Sequence, residues 1–262
     1  EATLPADARF DGLKVVVDCA NGAAYRTAPD TLRDLGAEVF AIADAPDGFN
    51  INSDCGAVHP ETLAATVLAH GADVGVALDG DADRLIIVDE TGTVINGDQV
   101  LACLARAMQA SGTLSGDAVV GTVMTNGGIE PFLDSLGLTL HRTQVGDRYV
   151  LARMQEDNLN LGGESSGHIL LTSLSTSGDG LIAALHKIGR EAPESGQTWI
   201  YFAATAARKH KLQQPTEGSS AESTFLLFHQ KRVVITVLSN TAQEKELENH
   251  IQGKVQNCQD LR

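Results

Sequence analysis

An internal repeat dominates the sequence. In residues 14–110, apolar runs of strand length alternate with helical patterns in the order β-α-β-α-β-β-α, and residues 118–185 repeat that order. The last helix of each half follows a strand–loop–strand hairpin. Both of these helices begin alike, with Gly97-Asp98 in the first half and Gly178-Asp179 in the second. The repeat therefore predicts two tandem α/β domains of one design.

The composition changes where the repeat ends. Residues 1–188 carry a formal charge of −16, whereas residues 189–262 carry +1 and hold eight of the twelve glutamines. The later region has one strand-like run, 225–228 with 233–238, and one helix-like stretch, 243–256. We therefore predict three regions, which are domains over 1–111 and 112–188 and an unassigned tail over 189–262.

The overall composition excludes several classes of protein. A net charge of −15 disfavours binding to nucleic acid or to an anionic membrane surface. No apolar run approaches the ~20 residues that span a bilayer, and the first residues lack the pattern of a signal peptide. The four cysteines lack the paired spacing of metal ligands. A reduced, cytoplasmic protein is the expectation.

An acidic loop follows the third predicted strand. It reads Asp79-Gly80-Asp81-Ala82-Asp83-Arg84 and lies between the apolar runs 73–78 and 85–88. Three carboxylates at alternate positions repel one another unless a cation lies between them, and the small spacers let the backbone curl. Oxygen ligands favour Mg²⁺ or Ca²⁺, and an adjacent guanidinium suits a phosphate ester. The loop predicts a divalent-cation site for a phosphorylated ligand.

Two other interpretations of this loop exist. A solvated acidic turn remains open as the alternative. An EF-hand has carboxylates at its positions 1, 3, 5 and 12, which here are Asp79, Asp81, Asp83 and Glu90. It also requires Gly at position 6, where this chain has Arg84, and helices where this chain has strands. A calcium sensor is therefore disfavoured.

A glycine-rich loop occupies the equivalent place in the second half. It reads Gly162-Gly163-Glu164-Ser165-Ser166-Gly167-His168. The glycines could serve only a tight turn and His168 could be a core histidine, and this alternative stays open. A carboxylate and a hydroxyl on such a turn can instead hold vicinal sugar hydroxyls, and a histidine can move a proton near neutral pH. Because ligands bind beyond the carboxyl ends of strands, we expect both loops to face one cleft.

Five stretches together resemble motifs of the α-D-phosphohexomutase superfamily, in the family's order. They are Val17-Asp18-Cys19-Ala20-Asn21-Gly22-Ala23, Asn50-Ile51-Asn52 with Cys55-Gly56, the loop Asp79 to Arg84, Val145-Gly146-Asp147-Arg148-Tyr149-Val150, and Gly163-Glu164-Ser165-Ser166-Gly167-His168. The resemblance covers residues 11 to 188. Asp147 stands where phosphomannomutase and phosphoglucomutase relatives usually have His. That difference favours the branch that interconverts glucosamine 6-phosphate and glucosamine 1-phosphate.

The resemblance implies a fold and a set of roles. The fold is two tandem three-layer α/β/α domains with mixed sheets, the family's domains II and III. The metal would be Mg²⁺, held by Asp79, Asp81 and Asp83. The catalytic side chains would be Arg84 and His168, and the substrate-binding residues would be Gly163, Glu164, Ser166, Asp147 and Arg148. In the family the metal also binds a phosphoserine, which donates its phosphoryl group to the sugar and takes one back from the other end.

The chain departs from the family at both ends. The first domain has a loop of Thr-Ala-Ser-His-Asn-Pro type and the fourth a loop of Arg-x-Ser-Gly-Thr-Glu-Pro type, and neither has a match here. The resemblance therefore implies the two middle domains of a four-domain enzyme that acts on a hexosamine phosphate together with domains I and IV, and it leaves a homodimer open. We expect no turnover by this chain alone. The alternatives are a phosphomannomutase/phosphoglucomutase, or a non-catalytic module that binds Mg²⁺ and sugar phosphate.

Overall fold

The computed structural model describes residues 4, 8–189, 201–202, 223–229 and 232–238. Within them the chain forms two mixed β-sheets in tandem, each in an α/β/α layer arrangement, and a separate three-stranded sheet. The two α/β/α units confirm the fold class expected from the repeat.

The first sheet positions the acidic loop. Its strands are β1 (Lys14–Asp18), β2 (Glu38–Ile42), β3 (Val74–Leu78), β4 (Leu85–Asp89) and β5 (Val94–Ile95), in the order β2-β1-β3-β4-β5. Strand β1 pairs in parallel with β2 and β3, and β4 pairs antiparallel with β3 and β5. The connecting helices are α1 (Thr27–Asp34) and α2 (Glu61–His70). The loops that follow β1 and β3 therefore lie at the same edge of the sheet.

The second sheet repeats this plan without a fifth strand. Its strands are β6 (Ala118–Thr122), β7 (Thr139–Thr143), β8 (Leu161–Gly163) and β9 (Ile169–Leu171), in the order β7-β6-β8-β9. Strand β6 pairs in parallel with β7 and β8, and β8 with β9 forms the antiparallel hairpin. The connecting helices are α4 (Ile129–Ser135) and α5 (Asp147–Glu156). The glycine-rich loop is the turn of that hairpin.

Two differences from the sequence prediction concern the ends of strands β6 and β8. The pattern predicts a strand to Thr125, but β6 ends at Thr122 because the Thr125 hydroxyl accepts the Thr122 N–H at 2.9 Å and closes a turn. Arg142 donates to the carbonyl oxygens of both threonines and holds that turn in place. The pattern also assigns Gly162 and Gly163 to the loop, whereas both belong to β8.

Two helices join the sheets. Helix α3 (Gly97–Ala110) contacts β8 of the second sheet and β4 of the first, and helix α6 (Gly180–Gly189) contacts β3 and β4 of the first sheet and β9 of the second. The two helices also pack on each other. One buried apolar cluster therefore continues from the first sheet into the second. The domain boundary predicted at residue 111 remains a prediction.

The tail contributes a small antiparallel sheet. It consists of β10 (Tyr201–Phe202), β11 (Ser223–His229) and β12 (Arg232–Leu238), in that order. The strand-like character predicted over 225–228 and 233–238 is thus confirmed, and the two segments pair as a hairpin. The helix-like stretch predicted over 243–256 lies outside the described residues. Within the part of the chain that the structure describes, no helix has the length and apolar character needed to cross a bilayer.

Candidate functional site

The acidic loop brings its three carboxylates together. One ligand oxygen from each of Asp79, Asp81 and Asp83 lies within 4.8 Å of the others. The loop curls because Ala82 adopts a left-handed conformation with φ of 64° and donates its N–H to the Asp79 carbonyl at 3.0 Å. The Arg84 N–H then donates to the Asp79 carboxylate at 3.1 Å. The predicted convergence of the carboxylates is therefore present in the fold.

The electrostatics of the loop fit a hard divalent cation. Burial, followed by the charge of Asp79, raises the pKa of Asp83 above its usual value. Its Oδ1 atom is buried and has no hydrogen-bond partner among the described residues. The Nε atom of Arg84 lies 3.6 Å from Asp79 and 3.9 Å from Asp83, too far to replace that partner fully. A crowded set of carboxylate oxygens with one orphaned atom is the donor set that Mg²⁺ or Ca²⁺ prefers.

The glycine-rich loop is a closed hairpin turn with an ordered carboxylate. Its backbone is held by the Glu164 N–H, which donates to the His168 carbonyl at 3.0 Å, and by the Gly167 N–H, which donates to the Glu164 carbonyl at 3.0 Å. The side chain of Glu164 accepts the Gly146 N–H at 2.8 Å. Ser166, at the tip of the turn, is exposed. The loop thus presents a fixed carboxylate and an accessible hydroxyl beside the end of β7.

Backbone contacts join the two loops. The Leu85 N–H donates to the Gly167 carbonyl at 2.9 Å, and Arg84 forms an antiparallel bridge with His168. The Gly180 N–H, at the start of α6, donates to the Ala82 carbonyl of the acidic loop at 2.8 Å. The glycine-rich loop and helix α6 therefore both hydrogen-bond to the backbone in and next to the acidic loop. The two loops are therefore in direct contact, whereas the predicted cleft that both would face stays a prediction.

His168 is buried next to Asp83 of the acidic loop. Its side chain is 7% exposed, and its Nδ1 atom lies 3.2 Å from Asp83 Oδ2. Gly178 covers the other ring nitrogen, because any side chain there would overlap His168 Nε2. The geometry gives the imidazole a direct contact with a carboxylate of the acidic loop. Its role as an acid or base toward a sugar hydroxyl stays a prediction.

Asp147 and Arg148 lie at the start of α5, next to the carboxylate of the glycine-rich loop. Both side chains are exposed, and the residue before them, Gly146, is the one bound by Glu164. Arg148 donates to the Tyr149 hydroxyl at 2.6 Å, and its guanidinium stacks 4.5 Å from the centre of that ring. The predicted substrate residues thus share one side of the site, although their role in binding stays a prediction.

Sequence reasoning missed the residues that support the site. Gly97 and Gly180 allow the backbones of the two loops and the two helices to meet, since a side chain at either position would overlap a carbonyl oxygen. Asp18, buried at the end of β1, binds two loops that pack against the acidic loop. Gly97 stood in the repeated Gly-Asp pair and Asp18 in a motif that resembles the family's, but neither pattern indicated these contacts.

Comparison with family models identifies the class of protein that this fold and site define. Residues 4–92 match the model described as "Phosphoglucomutase/phosphomannomutase, alpha/beta/alpha domain II", and residues 96–198 match that of domain III. The chain therefore belongs to the phosphohexomutase family.

Curated relatives that are highly identical to this chain are phosphoglucosamine mutases. A phosphoglucosamine mutase of Ruegeria sp. (strain TM1040) is 58% identical over 186 residues, which are 71% of this chain and 42% of the relative. One of Azorhizobium caulinodans is 60% identical over 183 residues, which are 70% of this chain and 41% of the relative. The chain thus spans about two fifths of the length of the curated relatives it matches.

Solved structures agree with the family fold. A putative phosphomannomutase of Thermus thermophilus superimposes with a TM-score of 0.66 at 19% identity, covering 97% of this chain and 64% of that one. A phosphoglucomutase/phosphomannomutase family protein of Burkholderia thailandensis has a TM-score of 0.62 at 22% identity, covering 96% and 61%. At these identities the likeness supports the fold alone.

Proposed function

We propose that this chain carries the metal-binding and sugar-binding parts of a Mg²⁺-dependent phosphoglucosamine mutase, which converts glucosamine 6-phosphate to glucosamine 1-phosphate. The observation that carries the proposal is the junction of the two loops. Three converging carboxylates, a guanidinium and a glycine-rich loop with a fixed carboxylate lie at one place. A cation site for the phosphoryl group beside acceptors for the sugar hydroxyls is what a phosphosugar requires.

Each group has a distinct task in the proposed reaction. Asp79, Asp81 and Asp83 hold Mg²⁺, which when bound neutralises charge on the transferring phosphoryl group. Arg84 supplies a fixed positive charge beside it. Glu164 accepts hydrogen bonds from the sugar hydroxyls, and Ser166 can accept or donate them. Together they orient the reacting oxygen. Because one phosphoryl group is added at one end of the sugar and another is removed from the other end, these residues must bind the sugar in two orientations.

The choice of sugar is the finer part of the proposal. The curated relatives at 55–60% identity are named phosphoglucosamine mutase, and Asp147 differs from the His usual in the phosphomannomutase branch. We expect calorimetric titration to give tighter binding of glucosamine 6-phosphate than of glucose 6-phosphate or mannose 6-phosphate. Tighter binding of mannose 6-phosphate or glucose 6-phosphate would assign the chain to the phosphomannomutase/phosphoglucomutase branch instead.

We expect no mutase turnover from the purified 262-residue chain. The sequence has no match to the family's phosphoserine loop or to its phosphate-binding loop, so the chain lacks the group that would donate the phosphoryl. A coupled assay with glucosamine 6-phosphate, Mg²⁺ and a bisphosphate activator tests this. Robust turnover would show that a residue of this chain replaces the phosphoserine. Tight binding without complementation by the remaining domains of a relative would favour a non-catalytic binding module.

Glu164→Gln is expected to weaken glucosamine 6-phosphate binding about tenfold, because a hydrogen bond to a charged group contributes about 1.5–3 kcal/mol. The amide oxygen can still accept the Gly146 N–H, so the loop keeps its shape. Glu156→Gln, on the exposed side of α5, is the matched control. Calorimetry with Mg²⁺ present measures both variants. Equal affinities for the two variants would remove Glu164 from the sugar site.

A further inference from the structure

A buried carboxylate at the end of β1 joins two loops of the first domain. The Asp18 side chain is 0% exposed. Its Oδ1 accepts the Ala20 N–H at 2.9 Å and its Oδ2 accepts the Gly56 N–H at 2.9 Å. Each oxygen of the Asp18 carboxylate thus accepts a backbone N–H from a different part of the chain. Together with Asp18, the loops 20–24 and 50–56 are called the cradle below.

The cradle packs against the backbone of the acidic loop at its first residues. The Ala23 N–H donates to the Gly80 carbonyl at 2.8 Å. The Ile51 side chain fills the space beside Gly80, where an added Cβ would lie 2.6 Å from Ile51 Cδ1. Gly56 lies against the Leu78 carbonyl, which would be 2.6 Å from an added Cβ. The cradle therefore contacts the peptide group that precedes Asp79 and the one that follows Gly80.

The cradle is a costly arrangement for the fold. Ala20, Asn21 and Asn52 adopt left-handed conformations with φ of 53°, 47° and 57°, which cost Ala20 about 1–2 kcal/mol and the two asparagines less. Burial raises the pKa of Asp18, although the N–H groups of Gly56 and Ala20 lower it in part. Strained backbone around a buried carboxylate persists where the surroundings determine it, and such strain concentrates at functional sites.

We infer that Asp18 is a positioning residue for the metal site: it fixes the cradle, and the cradle fixes Gly80 so that the three carboxylates stay convergent. The inference rests on the proposed function, because it assumes that the carboxylates bind Mg²⁺. Accepting both N–H groups requires two acceptor oxygens, which a carboxylate has and an amide does not. In Asp18→Asn the amide NH₂ would face one of the two N–H donors, which loosens one loop of the cradle without reducing the side-chain volume.

The test compares Asp18→Asn with Asp89→Asn by titration of Mg²⁺ into the full chain. Asp89 is also buried, at 4% exposed, and its carboxylate also accepts two backbone N–H groups, those of Thr91 and Thr93. It lies at the other end of β4, away from the acidic loop. We expect Asp18→Asn to weaken Mg²⁺ binding about tenfold, as losses of outer-shell support do, and Asp89→Asn to leave it unchanged. Thermal unfolding without Mg²⁺ reports the stability of each variant separately.

A second pair tests the cradle without changing a buried charge. Ile51 and Val58 are 51% and 52% exposed, and of the two the Ile51 side chain fills the space beside Gly80. Ile51→Ala is expected to bind Mg²⁺ more weakly than Val58→Ala. This pair decides the matter should Asp18→Asn fail to fold.

The outcomes separate the inference from the proposed function. Absence of Mg²⁺ binding by the unmodified chain would contradict the proposed metal site itself. Mg²⁺ binding by the unmodified chain with equal affinities for Asp18→Asn and Asp89→Asn, or for Ile51→Ala and Val58→Ala, would overturn the positioning role and leave the metal site standing. Loss confined to Asp18→Asn and Ile51→Ala supports it.

Discussion

Asp81→Asn is expected to weaken Mg²⁺ binding by about 100-fold, because a hard cation site depends on the number of charged oxygen ligands, and losing one should reach the upper end of the 10–100-fold cost of outer-shell losses. Asp81 is the exposed member of the three carboxylates, so its replacement leaves the core intact. Its charge also repels Asp83 in the metal-free protein. We therefore expect the metal-free variant to be at least as stable as the parent chain.

Asp81→Asn is thus expected to weaken Mg²⁺ binding without lowering the stability of the metal-free protein. This combination distinguishes loss of a metal ligand from general destabilisation. Calorimetry gives the Mg²⁺ affinity, and thermal unfolding in a chelator gives the metal-free stability. Asp134→Asn, an exposed carboxylate on α4, is the control for a change in net charge. An Asp81→Asn variant that binds Mg²⁺ as well as Asp134→Asn does would show that the acidic loop is a solvated turn.

Gly97→Ala is expected to destabilise the protein by about 3 kcal/mol, the upper part of the range for an overpacked site. Helix propensity alone predicts the reverse, since Ala is better than Gly in a helix by about 1 kcal/mol. The added methyl group would overlap the Glu164 carbonyl oxygen and lie 2.6 Å from the Gly167 amide nitrogen. It would therefore separate α3 from the glycine-rich loop, where the Gly97 N–H now donates to the Ser165 carbonyl.

Urea unfolding measures this change, and the affinity for glucosamine 6-phosphate should fall with it. Gly127→Ala is the matched control, because nothing lies within 4 Å of the position its methyl group would take. That variant should show no loss of stability. A Gly97→Ala protein as stable as Gly127→Ala would mean that the loop and the helix do not meet as described.

Local patterns were sufficient to predict most of the fold. Helix α3 begins and ends where the sequence predicts, and at its start Asn96 and Gln99 form a reciprocal capping box. The buried runs that became β3 and β4 were recognisable because every position in them is apolar or small, apart from the terminal Asp89. The convergence of the carboxylates was predictable because their spacing and the short side chains between them are local features.

Features that depend on tertiary contacts were not predictable from the sequence. The early end of β6 depends on Arg142, which comes from the neighbouring strand. The burial of His168 depends on the close approach of Gly178, which a single sequence does not reveal. The contacts of α3 and α6 with both sheets likewise follow from packing between the repeats rather than within them.

The proposed function requires that one divalent cation binds between the three carboxylates beside the glycine-rich loop. The most direct measurement is a crystal structure of the chain soaked with Mn²⁺, which is located by its anomalous scattering. We expect one strong peak in contact with oxygen atoms of Asp79, Asp81 and Asp83. A peak elsewhere in the molecule, or an empty loop at a saturating concentration of the ion, would contradict it.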